Sequence, residues 1–381
     1  MQHDKRSHGL DTLRGVAVVS VLIFHYLNNT SVLRTNSLLP LQAASEHLFF
    51  GVDLFFVLSG YFIGASLMRS RATRSYLSIY AFHRMARILP LYLLWLEIFC
   101  IFLLLKADVR FGGAFPWLMD MGGVPLVSYF TFTQNWASSA FGRWGPAWLG
   151  ITWTLAFEMQ FYLIAAVVVL FVPVRYMGLA ALAVIAASLA FKQLATVSGH
   201  SMMVMTPSRL DSPFVGVLCA WLVRFEGVVV FLARYRLHLT AAASLLLLAH
   251  YANSILQLQS WPIDAFAQNA VVFGLATLAF SPPVGSQCNF IVAALRWCGV
   301  RCYGIYIMHV GVLGIVSHLM FNWPPNVFPP GVGWPAVGVA FVITLALAAA
   351  SWRLLEAPFI KWAQEYGARR RQECVGKPAF G

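Results

Sequence analysis

Leu13-Arg14-Gly15-Val16-Ala17-Val18-Val19-Ser20-Val21-Leu22-Ile23-Phe24-His25 is an apolar run broken by one arginine and closed by one histidine. With its flanks it is long enough to enter a bilayer, where an ionisable side chain is costly and usually kept for function. Positions 14 and 25 are close to three helical turns apart. The two side chains therefore share one face, about 16 Å apart along the axis, roughly half the thickness of a hydrocarbon core. A cation toward one membrane surface and a titratable base toward mid-depth describe a track for a long ligand.

The rest of the chain agrees with a membrane reading. Of 381 residues 60% are hydrophobic and only 10% charged, where a soluble chain carries about a quarter charged residues. The expected fold is all-α and polytopic, with about ten spans near 11–29, 48–68, 85–105, 147–171, 177–194, 210–230, 237–257, 263–281, 302–321 and 333–354. Segment 115–135 is apolar too, but Asp120, Gly122-Gly123 and Pro125 interrupt it, so it reads as a re-entrant or interfacial piece. The first span shows no small-residue cleavage site and is expected to stay in the membrane.

The net charge of +12 does not indicate nucleic acid, because lysines and arginines alternate between loops. With the N-terminus in the cytoplasm, all 26 of them except Arg34, Lys106, Arg110, Arg143, Lys192 and Arg209 fall on the inner side. That bias places both termini inside. Residues 1–360 are expected to form one integral membrane domain, and 361–381 a short basic cytoplasmic tail held against anionic lipid. The six cysteines (Cys100, Cys219, Cys288, Cys298, Cys302 and Cys374) are scattered through apolar segments and suggest no disulfide framework. Cys298 and Cys302, four apart, are expected on one helix face. No metal site is expected.

Several other side chains are candidates for chemistry. Arg84 and Arg87, three apart at a helix start, suit one phosphate or pyrophosphate held by two guanidinium forks, or ordinary inner-surface anchoring. Asp53 lies at the outer start of the second span, as a site residue, a helix N-cap or a member of an intrahelical ion pair. Gly60 and Gly64 permit close helix packing there. Glu158 lies near the middle of a span on a stripe with Thr154 and Tyr162, and needs a buried partner or a hydrated cavity. Arg209 and Asp211 open a later span. Tyr303, Tyr306 and His309 lie on another, where His309 reads as packing more readily than as catalysis. Arg353 and Glu356 read as a salt bridge at a helix end.

Together these residues resemble the acyltransferase-3 family, membrane enzymes that O-acylate bacterial glycans and other acceptors. Residues 10–25, with Arg14 and His25, are similar to its first helix, although Thr12 stands where many members have Gly. Residues 51–61, with Asp53, Ser59 and Gly60, are similar to its second. Arg84-Met85-Ala86-Arg87 is similar to its two-arginine motif, and 153–162 to its Trp-Ser-Leu-…-Glu-…-Phe-Tyr block, with Thr154 for Ser. Arg209-Leu210-Asp211 and 303–309 match looser signatures. The resemblance implies a multi-pass enzyme of the bacterial inner membrane, in the form without a fused esterase-like domain. It would transfer an acyl group, most often acetyl, from cytoplasmic acyl-CoA to a hydroxyl of a carbohydrate or glycolipid such as lipopolysaccharide or exopolysaccharide.

On that reading Arg14, Arg84 and Arg87 bind the donor's phosphates. His25, oriented by a carboxylate such as Glu158, deprotonates the acceptor, and Asp53, Arg209 and Asp211 contact the sugar. Ser59 is a weaker option as nucleophile, because no base is visibly paired with it. The alternative is a proton-coupled transporter or flippase, which intramembrane His and Glu also suit.

Overall fold

A computed structural model describes residues 8–33, 39–71, 76–197, 204–255, 265–280, 289–329 and 331–375. Lys5, Arg6, Arg34, Arg74, Cys288 and Lys377 lie outside the described residues. The protein is built from helices, as a chain must be whose backbone polar groups meet no water across the membrane. The main ones are α1 (His8–Asn28), α2 (Phe50–Ser70), α3 (Tyr76–Leu104), α4 (Trp153–Phe171), α5 (Met177–Val197) and α6 (Asp211–Leu222). They continue as α7 (Glu226–Ile255), α8 (Ala265–Phe280), α9 (Phe290–Val300), α10 (Cys302–Phe321), α11 (Trp334–Ser351) and α12 (Ala357–Val375). Among the described residues eight helical stretches are long and apolar enough to cross a bilayer. Segment 115–135 breaks into short helices around Gly122 and Gly123, both at positive φ.

One expected span is shorter than a bilayer. Region 210–230 is the 12-residue α6 followed by a turn into α7. At 1.5 Å per residue, α6 reaches only about 18 Å. Apolar composition alone could not separate it from a full span, because it is buried against protein. Of region 263–281 the structure describes α8, and positions 263, 264 and 281 lie outside the described residues. The 11-residue α9 is an element the sequence did not suggest. Cys298 closes α9 and Cys302 opens α10, so the break at Arg301 removes the shared helix face expected for the two thiols.

Glycine sets the closest contacts. A methyl group at Gly60 of α2 would sit 1.8 Å from the Pro213 carbonyl oxygen of α6, and one at Gly216 of α6 would sit 1.9 Å from that of Val57. Gly64 also faces α6, at Val217, so the small-residue pair read from the sequence is a real packing face. Gly15 of α1 and Gly299 of α9 repeat the device: each Cβ would lie 1.8 Å from a carbonyl oxygen of the other helix, Leu295 or Asp11. These approaches press α2 against α6 and α1 against α9.

The last span does not end at residue 354. Residues Trp352–Glu356 form one π-helical turn, and α12 continues to Val375. His83 of α3 lies 2.8 Å from the Ala363 carbonyl oxygen, docking α12 beside the start of α3. The wider turn, of a kind common at functional sites, rotates Glu356 inward, where it accepts from Ser351 Oγ at 2.9 Å, while Arg353 stays exposed. The expected Arg353–Glu356 salt bridge is therefore absent.

Candidate active site

Two adjoining cavities lie between α1, α2, α4 and their neighbours. The first, about 280 Å3, is walled by Arg14, Ser59, Arg84, Arg87, Glu158 and Tyr162, with Phe55 and Phe62. Arg14 comes from α1, Arg84 and Arg87 from the first half of α3, Ser59 from α2, and Glu158 and Tyr162 from one face of α4. The three arginines thus line one cavity, Arg14 from one helix and Arg84 with Arg87 from another. Arg14 is held by Asp11 at 3.2 Å, three residues away, and its guanidinium lies 3.8 Å over the Phe62 ring. Arg84 and Arg87 differ: among the described residues neither forms an ion pair, although Glu158 and Glu356 act on Arg87 electrostatically, and the buried Arg84 Nε has no hydrogen-bond partner there. Two half-buried guanidiniums with no direct carboxylate partner can receive an external anion.

Glu158 is 7% exposed and finds both partners and a cavity. Its Oε1 accepts from Ser59 Oγ at 2.8 Å and from Tyr162 OH at 2.5 Å. The sequence showed no base for Ser59; the structure supplies Glu158. In turn, Glu158 is not the orienting partner of His25.

The second cavity, about 420 Å3, shares Phe55 and Glu158 with the first. Its wall includes Ala17, Val18 and Val21 of α1, Val52 and Phe56 of α2, Thr154 of α4, and Cys302, Tyr303 and Tyr306 of α10. Arg14, Ala17, Val18 and Val21 are one continuous stripe of α1, and His25 is the next residue along it, one turn beyond Val21. Thr154 Oγ1 donates to Tyr306 OH at 2.8 Å, and that hydroxyl donates to the Ile151 carbonyl at 3.0 Å, joining α4 to α10.

His25 is half-buried at the end of the stripe. Its Nδ1 lies 3.0 Å from the Val21 carbonyl oxygen and 3.0 Å from Nε2 of His309. His309 is 1% exposed, and its Nδ1 lies 2.6 Å from the Tyr306 carbonyl oxygen. The hydroxyl of Tyr26 reaches the carbonyl oxygens of His309 (3.1 Å) and Ala340 (3.3 Å) and Thr344 Oγ1 (2.8 Å), anchoring α1 to α10 and α11 at this level. Sequence reasoning undervalued His309. The available signal was a second histidine inside an apolar span, in step with Tyr306; its nearness to His25, 284 residues away, was not available.

Asp53, Arg209 and Asp211, the expected sugar contacts, are spent on internal partners. Arg209 Nη2 donates to Asp53 Oδ1 at 2.5 Å, with the side chains 1% and 0% exposed, and Asn269 Nδ2 donates to Asp53 Oδ2 at 3.2 Å. Lys192 Nζ donates to Asp211 Oδ2 at 2.7 Å. Groups this deep persist because each neutralises another. They tie α2, α5, α6 and α8 together and line neither cavity.

The model of the family described as "Acyltransferase domain" matches residues 7–353. The chain is 25% identical over 373 residues to the peptidoglycan O-acetyltransferase OatA of Listeria monocytogenes, covering 92% of this chain and 55% of that protein. It is also 25% identical to a putative peptidoglycan O-acetyltransferase of Bacillus subtilis over 384 residues, 94% of this chain and 55% of that one. Against a putative O-acetyltransferase of Staphylococcus aureus the identity is 25% over 379 residues, 93% and 57% of the two chains. The chain thus spans little more than half the length of these relatives. No solved structure matches it.

Proposed function

The chain belongs to this acyltransferase family, and from that premise we propose that it is a membrane O-acetyltransferase using acyl-CoA, chiefly acetyl-CoA, to acylate a hydroxyl of an envelope glycan. The observation that carries the donor assignment is the pair Arg84 and Arg87, which form no ion pair among the described residues and face the same cavity as Arg14. A CoA diphosphate has the charge and the oxygen geometry that two guanidinium forks bind. The cavity beyond it, lined by valines and phenylalanines, suits the uncharged pantetheine arm, which would follow the α1 stripe toward His25. With the N-terminus in the cytoplasm, the arginine mouth faces the side where acyl-CoA is made.

At the far end His25 takes the proton of the acceptor hydroxyl. The oxygen attacks the thioester carbonyl, an ester C–O bond forms, the C–S bond breaks, and CoA leaves as the thiolate and is then protonated. Glu158 with Ser59 offers a second route, in which Ser59 Oγ is acylated first and Glu158 takes its proton. The likeness to a peptidoglycan O-acetyltransferase and to a putative one points to peptidoglycan as acceptor class; lipopolysaccharide, exopolysaccharide and glycolipid are the other envelope hydroxyls this site would admit. Membrane lipid around the apolar exterior and the multi-pass placement in the inner membrane belong to the same proposal.

The test is release of free CoA from acetyl-CoA by the purified protein in liposomes, with and without an envelope glycan fraction. Release by the wild type, lost in Arg84→Ala and in His25→Ala, is the expected result. Mass spectrometry of the reacted protein separates the routes: an acetyl group on Ser59 marks the covalent one. No CoA release and no CoA binding would leave the transporter reading in its place.

A further inference from the structure

The pair His25–His309 carries more information than proximity, because each ring is held at a defined atom. The Tyr306 carbonyl oxygen offers only lone pairs, so His309 Nδ1, 2.6 Å away, carries a hydrogen and donates it. A neutral imidazole has one N–H, so His309 Nε2 is then a bare acceptor. It faces His25 Nδ1 at 3.0 Å, and the Val21 carbonyl oxygen faces the same atom at 3.0 Å. Two acceptors converge on one nitrogen, so His25 Nδ1 carries the hydrogen and its Nε2 keeps the lone pair. The reverse tautomers would set lone pair against lone pair at both carbonyl contacts.

We propose that His309 is a positioning residue for His25: it holds the tautomer in which Nε2 is the proton acceptor, and it takes up part of the charge when His25 becomes a cation. The proposal rests on the reading of His25 as the base. When Nε2 gains the substrate proton, the Nδ1–H bond to His309 becomes charge-assisted and strengthens, and His309 in turn polarises its own bond to the Tyr306 carbonyl. The chain ends in a peptide carbonyl, so no second proton leaves; the relay stabilises charge and does not pass it on. Tyr26, which belongs to α1 beside His25 and touches the His309 carbonyl oxygen, keeps the two rings in register.

Two measurements test this on the full chain. Histidine 15N spectra of the wild type in nanodiscs, with the His25 signals assigned by their loss in His25→Ala, should show Nδ1 protonated and Nε2 bare; the opposite assignment overturns the proposal whatever the activity. In liposomes, His309→Leu should lower kcat for CoA release by about 100-fold with KM for acetyl-CoA within about twofold, and His309→Gln, which restores an acceptor and a donor, should recover roughly tenfold of that. Full turnover in His309→Leu while His25→Ala is inactive refutes the role of His309 alone. Equal losses in the Leu and Gln variants together with a lower thermal midpoint mean a packing role and also refute it. Full turnover in His25→Ala removes the underlying reading itself.

Discussion

Two groups of charges inside the apolar body of the protein are treated oppositely. At the Asp53–Arg209 and Lys192–Asp211 contacts every charge is matched by another at 2.5 to 2.7 Å and the groups line neither of the two cavities. At the mouth between α1, α2, α3 and α4, Arg84 and Arg87 form no ion pair among the described residues and border an open volume that Glu158 also lines. A matched pair satisfies itself and braces the helices that supply it. An unmatched cation within protein walls stays costly until an anion arrives, and that cost is what a ligand relieves. The difference separates two sets of residues that look alike as intramembrane charges in the sequence.

The sharpest way to break the comparison is at the sealed end. Asp53→Ala leaves Arg209 buried without its carboxylate and should cost about 3–5 kcal/mol, read as loss of monodisperse protein or a large drop in thermal midpoint in detergent. Replacing both partners, Asp53→Leu with Arg209→Met, should recover much of it, and failure to recover would mean that the pair does more than brace. At the open end Arg87→Ala should leave the midpoint unchanged and weaken CoA binding by about 10–100-fold, the span expected for one charge-assisted contact. A loss of stability instead would place Arg87 with the bracing residues. The smallest effect belongs to Arg353→Ala, since the π turn leaves that side chain exposed and unpaired with Glu356; its thermal midpoint and CoA release should match the wild type.

Much of this site was legible before the fold. The alignment of Arg14 with His25, the stripe Thr154–Glu158–Tyr162, the convergence of Arg84 with Arg87 and the packing face at Gly60 and Gly64 all follow from helical period, which acts within one element. The length of α6 was misread because an apolar helix buried in protein has the same composition as one buried in lipid. The roles of Asp53, Arg209 and Asp211 were misread because a pair 156 residues apart leaves no periodic trace.

The amino-acid order by itself determined an all-helical membrane protein, the side of each helix that bears polar groups, and the distribution of positive charge between loops, because these depend on composition and on 3.6 residues per turn. Which polar faces meet was decided only in three dimensions. The glycine contacts of α1 with α9 and of α2 with α6 press those helices together, and that packing joins Arg14 to Arg84 and Arg87 across one cavity, Ser59 to Glu158, and His309 to His25. Contacts between helices distant in sequence arise from the shapes of whole faces, and no local pattern encodes them.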